Sequence, residues 1–177
     1  MNNSIIAAAV LSGIFMSAGA FAANEDMGEL KIKGEIVGTS CTFEGENNAT
    51  IELSQVGADR LTGLNAGDVY SGYTSPEVSL QVKCADNNNP RISFNPSQFV
   101  DGLKVTRNNA DDNGAGFAVY LNGSQVKPDE AGNFPLNKDD AVNGVYTMKF
   151  FARYAAVTTS VTPGPVESVL TMTVLTD

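Results

Sequence analysis

A chain of 177 residues, 42% of them hydrophobic, is of one-domain length and long enough to bury a core. Its net charge of −9 argues against nucleic acid as a partner, because phosphate binding needs a Lys/Arg surface, and equally against an anionic membrane surface. It contains no His, which removes the commonest general base and metal ligand and excludes Ser-His-Asp and Cys-His catalysis.

In chain order, residues 5–16 form a mostly apolar run that is too short to span a bilayer as a permanent helix. Ala20-Phe21-Ala22 follows, with small residues at the two cleavage-recognition positions, so residues 1–22 are predicted to be a secretory signal peptide. Met1-Asn2-Asn3-Ser4 carries no Lys or Arg, leaving the terminal amine to supply the positive charge, and Ala18-Gly19-Ala20 offers a second cut. No charged residue lies in 1–22, so the mature chain keeps the full acidic balance. Export to an oxidising compartment predicts one disulfide between the two cysteines, Cys41 and Cys84. The chain-entropy model values such a bridge at roughly 4 kcal/mol.

The rest of the chain reads as all-β: short alternating apolar runs separated by Gly, Asn, Asp and Pro clusters. Leu30, Ile32, Gly34 and Ile36 alternate with Lys31, Lys33 and Glu35, and Gly38 allows a kink before Cys41 and Phe43. Ile51 and Leu53 mark a second strand, and residues 56–65 a turn or short helix. Val78, Leu80, Val82 and Cys84 share one face of a third strand, Ile92 and Phe94 mark a fourth, and Leu103 and Val105 a fifth. Phe117, Val119 and Leu121 run into Asn122-Gly123, a hairpin signal because both residues tolerate positive φ. Tyr146, Met148, Phe150, Ala152 and Tyr154 line one face of the longest strand, with Lys149 and Arg153 on the other. After Pro163-Gly164-Pro165, the last strand places Val166, Leu170, Met172 and Val174 opposite Glu167, Thr171 and Thr173. There is no internal repeat and no linker, so one domain is expected.

Carboxylate pairs at Asp111-Asp112 and Asp139-Asp140 read as solvated turns. Asn109-Ala110-Asp111-Asp112-Asn113-Gly114 resembles the start of a calcium loop, but Tyr120 stands where a bidentate Glu is required. There is no Gly-rich phosphate loop and no aromatic–basic patch for single strands. No cofactor, metal or catalytic residue is expected.

The segment Gly28-Glu29-Leu30-Lys31-Ile32-Lys33-Gly34-Glu35-Ile36-Val37-Gly38-Thr39-Ser40-Cys41 resembles the start of type 1-like fimbrial pilins of the chaperone–usher pathway. Val78-Ser79-Leu80-Gln81-Val82-Lys83-Cys84, Phe150-Phe151-Ala152-Arg153-Tyr154 and Thr162-Pro163-Gly164 fit the same family in order and spacing, over residues 27–177. In one respect the chain departs from the pattern: Thr176 stands where the family has a penultimate aromatic, usually Tyr.

This resemblance implies an incomplete immunoglobulin-like β-sandwich that lacks its final strand and receives a donor strand from another subunit. Residues 23–33 would be the donor extension and 34–177 the pilin domain. Leu30 and Ile32 would enter the neighbour's groove, with Gly28 passing where a side chain would clash. The groove would be bordered by residues 35–43 and 166–176. A periplasmic chaperone would grip the terminal strand, at Gly164, Leu170, Met172, Val174 and Thr176, before an outer-membrane usher adds the subunit to a head-to-tail polymer. The expected place of work is a cell-surface fimbrium reached through the periplasm, with no direct membrane insertion, supporting adhesion. The competing readings are a minor or adaptor subunit and a self-complete exported sandwich that binds carbohydrate, with Tyr70 and Tyr73 its best platform aromatics.

Overall fold

The computed structural model describes residues 28–36, 41–85 and 89–176. The expected signal peptide, and residues 23–27 of the expected donor extension, lie outside the described residues. Two five-stranded sheets pack face to face. Strands β1 (Gly28–Ile36), β3 (Asn48–Leu53), β5 (Arg91–Phe94), β8 (Asp129–Pro135) and β10 (Glu167–Leu175) form the first, in the order β3-β1-β10-β5-β8. Strands β2 (Cys41–Phe43), β4 (Val78–Cys84), β6 (Ala115–Leu121), β7 (Ser124–Gln125) and β9 (Val145–Ala156) form the second, in the order β2-β4-β9-β6-β7.

The sequence alternation becomes burial. Leu80 and Val82 of β4, Met148, Phe150 and Ala152 of β9, and Leu170, Met172 and Val174 of β10 are buried, while the intervening residues are partly or fully exposed. Successive side chains of a strand point to opposite faces, so these residues meet between the sheets. Each large apolar side chain so removed from water contributes about 1.5–3 kcal/mol. The expected hairpin is present: Asn122 and Gly123 have φ of 48° and 84°, and Leu121 pairs with Ser124. Residues 56–65 contain a 3-10 turn at Ala58–Arg60.

Two expectations about the elements are corrected. Leu103 and Val105 do not form a strand. The segment folds over the outer face of β6, where Val105 is fully buried in a small cluster with Ala118 and Ala155. The Thr106 N–H donates to the Phe117 carbonyl at 2.9 Å. The backbone comes so close that a Cβ on Gly116 would lie 2.3 Å from the Thr106 carbonyl oxygen, so glycine is required there. β8 was not expected at all. Its Asp-Glu-Ala-Gly-Asn-Phe-Pro sequence is polar because it is an edge strand, and it packs mainly through Phe134, edge-on to Phe94 with ring centroids 5.3 Å apart.

Candidate functional site

The N-terminal strand β1 lies between β3 and β10 and separates them throughout. It is antiparallel to β3, from Gly28 opposite Leu53 to Lys33 opposite Asn48. It is parallel to β10, from Glu29 opposite Glu167 to Ile36 opposite Val174. Parallel neighbours need a crossover connection. Here that connection is nearly the whole sandwich, since β1 and β10 lie at opposite ends of the chain. Without β1, β3 and β10 would each present a row of unpaired N–H and C=O groups above an apolar floor.

Within this one chain, β1 brings Leu30 and Ile32 level with β3 and with Ser168 and Leu170 of β10. Leu30 is level with Ile51 and Ser168, and Ile32 with Ala49 and Leu170. Gly34 is level with Met172 and Ile36 with Val174. Ile51, Ser168, Leu170, Met172 and Val174 are all buried, whereas Lys31, one position out of phase, is exposed. Gly28 is level with Leu53. β1 continues to Ile36, past the expected end of the extension at residue 33.

Of the expected border at residues 35–43, Glu35 and Ile36 belong to β1 itself and are level with Thr173 and Val174 of β10, residues 37–40 lie outside the described residues, and Cys41–Phe43 pairs with β4 in the opposite sheet; the strand facing β10 across β1 is β3. The stretch from Leu30 to Phe43 reads as one alternating run, and alternation carries no record of the point at which a chain crosses between sheets. Cys41 and Cys84 are level across β2 and β4 and are joined by a disulfide, closing a separation of 43 residues.

Gly164 lies outside β10, in the turn before it, and a Cβ there would meet the Asp111 carboxylate and the Asn113 amide at 2.7 and 3.2 Å. Thr176 is half-buried just past the end of β10. A cavity of about 260 Å³ opens beyond the Gly28 end of the slot, between the chain leaving β3 and the chain entering β10. Val56, Leu61, Tyr154, Val161, Gly164 and Val166 are among the residues lining it.

The far edge of β10 is held in a way that sequence reasoning missed. β5 pairs only with its second half, from Met172 opposite Phe94 to Leu175 opposite Arg91. Along the first half the loop between β5 and β6 replaces a strand. The Thr171 N–H donates to Gln98 Oε1 at 2.6 Å, Gln98 Nε2 donates to Thr171 Oγ1 at 3.1 Å, and the Asn95 N–H donates to the Thr171 carbonyl at 3.1 Å. The Glu167 N–H donates to Asn108 Oδ1 at 2.9 Å, and the Asn109 N–H donates to the Glu167 carbonyl at 2.6 Å. Nothing in the pattern around Gln98 or Asn108 marks them beforehand, since polar residues in a Pro/Asn-rich loop read as turn formers.

Among the described residues, no group of His, Cys, Asp or Glu is arranged to hold a metal ion, no cysteine is free, and no helix is long and apolar enough to cross a membrane.

A family model described as "Fimbrial protein" matches residues 30–175. The "Uncharacterized fimbrial-like protein YehD" of Escherichia coli (strain K12) is 32% identical over 184 residues, covering 100% of both chains. Among solved structures, the P pilus rod subunit PapA is similar with a TM-score of 0.57 at 16% identity, over 78% of this chain and 100% of that one. At that identity the likeness speaks for the fold, an immunoglobulin-like sandwich.

Proposed function

The chain belongs to the fimbrial protein family, and from that premise we propose that it is a pilus subunit that polymerises by passing its N-terminal strand into the slot of a neighbour. It is a structural protein, not an enzyme. The observation that carries the proposal is the sheet order β3-β1-β10: one terminal segment separates two strands that would otherwise be neighbours with unpaired edges. A strand at the end of a chain can be exchanged for an identical one from another copy at little cost in contacts, because the same backbone bonds are remade. The exchange is head-to-tail, so it need not close, and it grows a filament.

In this reading Gly28, Leu30 and Ile32 belong to the donated strand, and Leu170, Met172 and Val174 to the receiving wall, with β3 opposite. The cavity at the Gly28 end has room for a further side chain of an incoming strand. Before assembly a periplasmic chaperone occupies the slot, reading β10 as far as Thr176, and an outer-membrane usher exchanges it for the next subunit. The product is a surface fimbrium that supports adhesion.

A second reading is favoured by the position of β1 in its own slot: a sandwich that is complete within one chain. The two readings part in one experiment. The oxidised full chain, with β1 in place, is incubated alone and with a labelled peptide of residues 24–36, and the products are separated by size-exclusion chromatography. Polymers formed by the chain alone, or uptake of the peptide by the chain, support an exchangeable strand. A chain that stays monomeric and takes up no peptide overturns the proposal and leaves the self-complete sandwich.

A further inference from the structure

The slot can serve successive strands only if its walls keep their shape while it is empty. β3 is short, and β10 is paired on its far side by a true strand only from Met172 onward. Along its leading half the backbone edge of β10 that faces away from β1 is held by the loop bonds to Glu167 and Thr171, beside the Ser168 hydroxyl bonds to Thr106 and Arg107. Resting on the strand-exchange reading, we propose that Gln98 and Asn108 are positioning residues that hold the leading half of β10 as a preformed wall, independent of what fills the slot.

The geometry separates the two edges of β10. In a strand the N–H and C=O of one residue point the same way, and successive residues point opposite ways. Glu167 and Thr171 send both groups toward the loop. Ser168, Leu170 and Met172 therefore send theirs toward β1. The Gln98 side-chain amide reproduces the peptide group of a neighbouring strand: its oxygen takes the Thr171 N–H while its NH2 reaches the Thr171 hydroxyl. Gln98 is itself braced, because its backbone carbonyl accepts from the Arg107 N–H at 2.9 Å. Asn108 is braced by donating from Nδ2 to the Pro165 carbonyl at 2.9 Å and to Asn113 Oδ1 at 3.2 Å. None of these bonds involves β1.

The test is residue-resolved native-state hydrogen exchange by NMR on the full oxidised chain. In the wild type the amides of Glu167 and Thr171 should exchange at least roughly tenfold more slowly than those of Leu170 and Met172, which open when β1 leaves. In Gln98→Ala the Thr171 amide should join the faster group, and in Asn108→Ala the Glu167 amide should do so. Gln98→Glu keeps an acceptor for the Thr171 N–H and should restore its slow exchange. Equal rates at Leu170 and Thr171 in the wild type would overturn the proposal without any variant having to fold. A Gln98→Ala protein with native spectra and an unchanged Thr171 rate would also overturn it. Failure of a labelled peptide of residues 24–36 to bind the chain lacking residues 23–36 would instead defeat the exchange reading, leaving the exchange rates of β10 as measured.

Discussion

The Thr106 hydroxyl donates to the Ser168 hydroxyl at 2.8 Å, with both residues fully buried. Ser168 in turn donates to the Arg107 carbonyl at 2.7 Å, and the Phe117 N–H donates to Thr106 Oγ1 at 3.1 Å. This polar chain joins β6, the covering loop and β10 at a position where the strand alternation calls for an apolar residue. Ser168→Ala removes the acceptor of a buried hydroxyl and the donor to a carbonyl. It should destabilise the chain by about 1–3 kcal/mol. Urea unfolding of the wild type and variant would check this, with the midpoint falling and the slope unchanged.

If β1 is the exchanged strand proposed above, its register predicts which of its positions matter. Ile32 is level with fully buried Leu170, whereas Lys31 is exposed. In the peptide of residues 24–36, Ile32→Asp should weaken binding to the chain lacking residues 23–36 at least roughly tenfold, since a charge would be placed over an apolar floor. Lys31→Asp in the same peptide should change binding little. Fluorescence anisotropy with a labelled peptide would read both. Equal losses at the two positions would reject the register.

The disulfide joins Cys41 to Cys84 across 43 residues. Replacing both cysteines by Ser should cost roughly 4 kcal/mol on the chain-entropy model. For a domain of this size that corresponds to a fall of roughly 10 °C in Tm. Calorimetry of the double variant against the oxidised wild type would measure it. A change within error would mean that the β2–β4 pairing is held by its neighbours alone.

Two glycines should respond differently. Gly116→Ala forces a Cβ to within 2.3 Å of the Thr106 carbonyl, so the covering loop must move, at a cost of about 1–3 kcal/mol. Gly102 has φ of +75° but nothing within 4 Å of the position a Cβ would take. Gly102→Ala should therefore carry only the left-handed backbone penalty, roughly 1 kcal/mol. Thermal melts of the two variants would rank them, and the reverse order would contradict the close approach of loop and β6.

Alternation alone was enough to place the inward faces of β4, β6, β9 and β10, because the side-chain period of a strand is a local property of the backbone. Val82, Phe117, Phe150 and Met172 are buried as their spacing requires. The same alternation put Leu30 and Ile32 on one face of their run, and the cysteine count, read with the expected signal peptide, predicted the bridge. Which strand lies beside which was not legible in this way. Pairing is made by backbone N–H and C=O groups that every residue carries, so β3 as the second wall, the parallel course of β1 beside β10, and the crossing to β2 left no mark in the pattern. Ser168 and Asp129 are buried polar residues, the second with its carboxylate accepting from the Ala131 N–H at 2.9 Å, and such residues read as exposed until their partners are known. Gln98 and Asn108 act on β10 across long separations in the chain. Sequence thus determined which residues face inward, and only the tertiary structure decided which edges meet, because the first is set by one residue's neighbours along the chain and the second by hydrogen-bonding groups common to all residues.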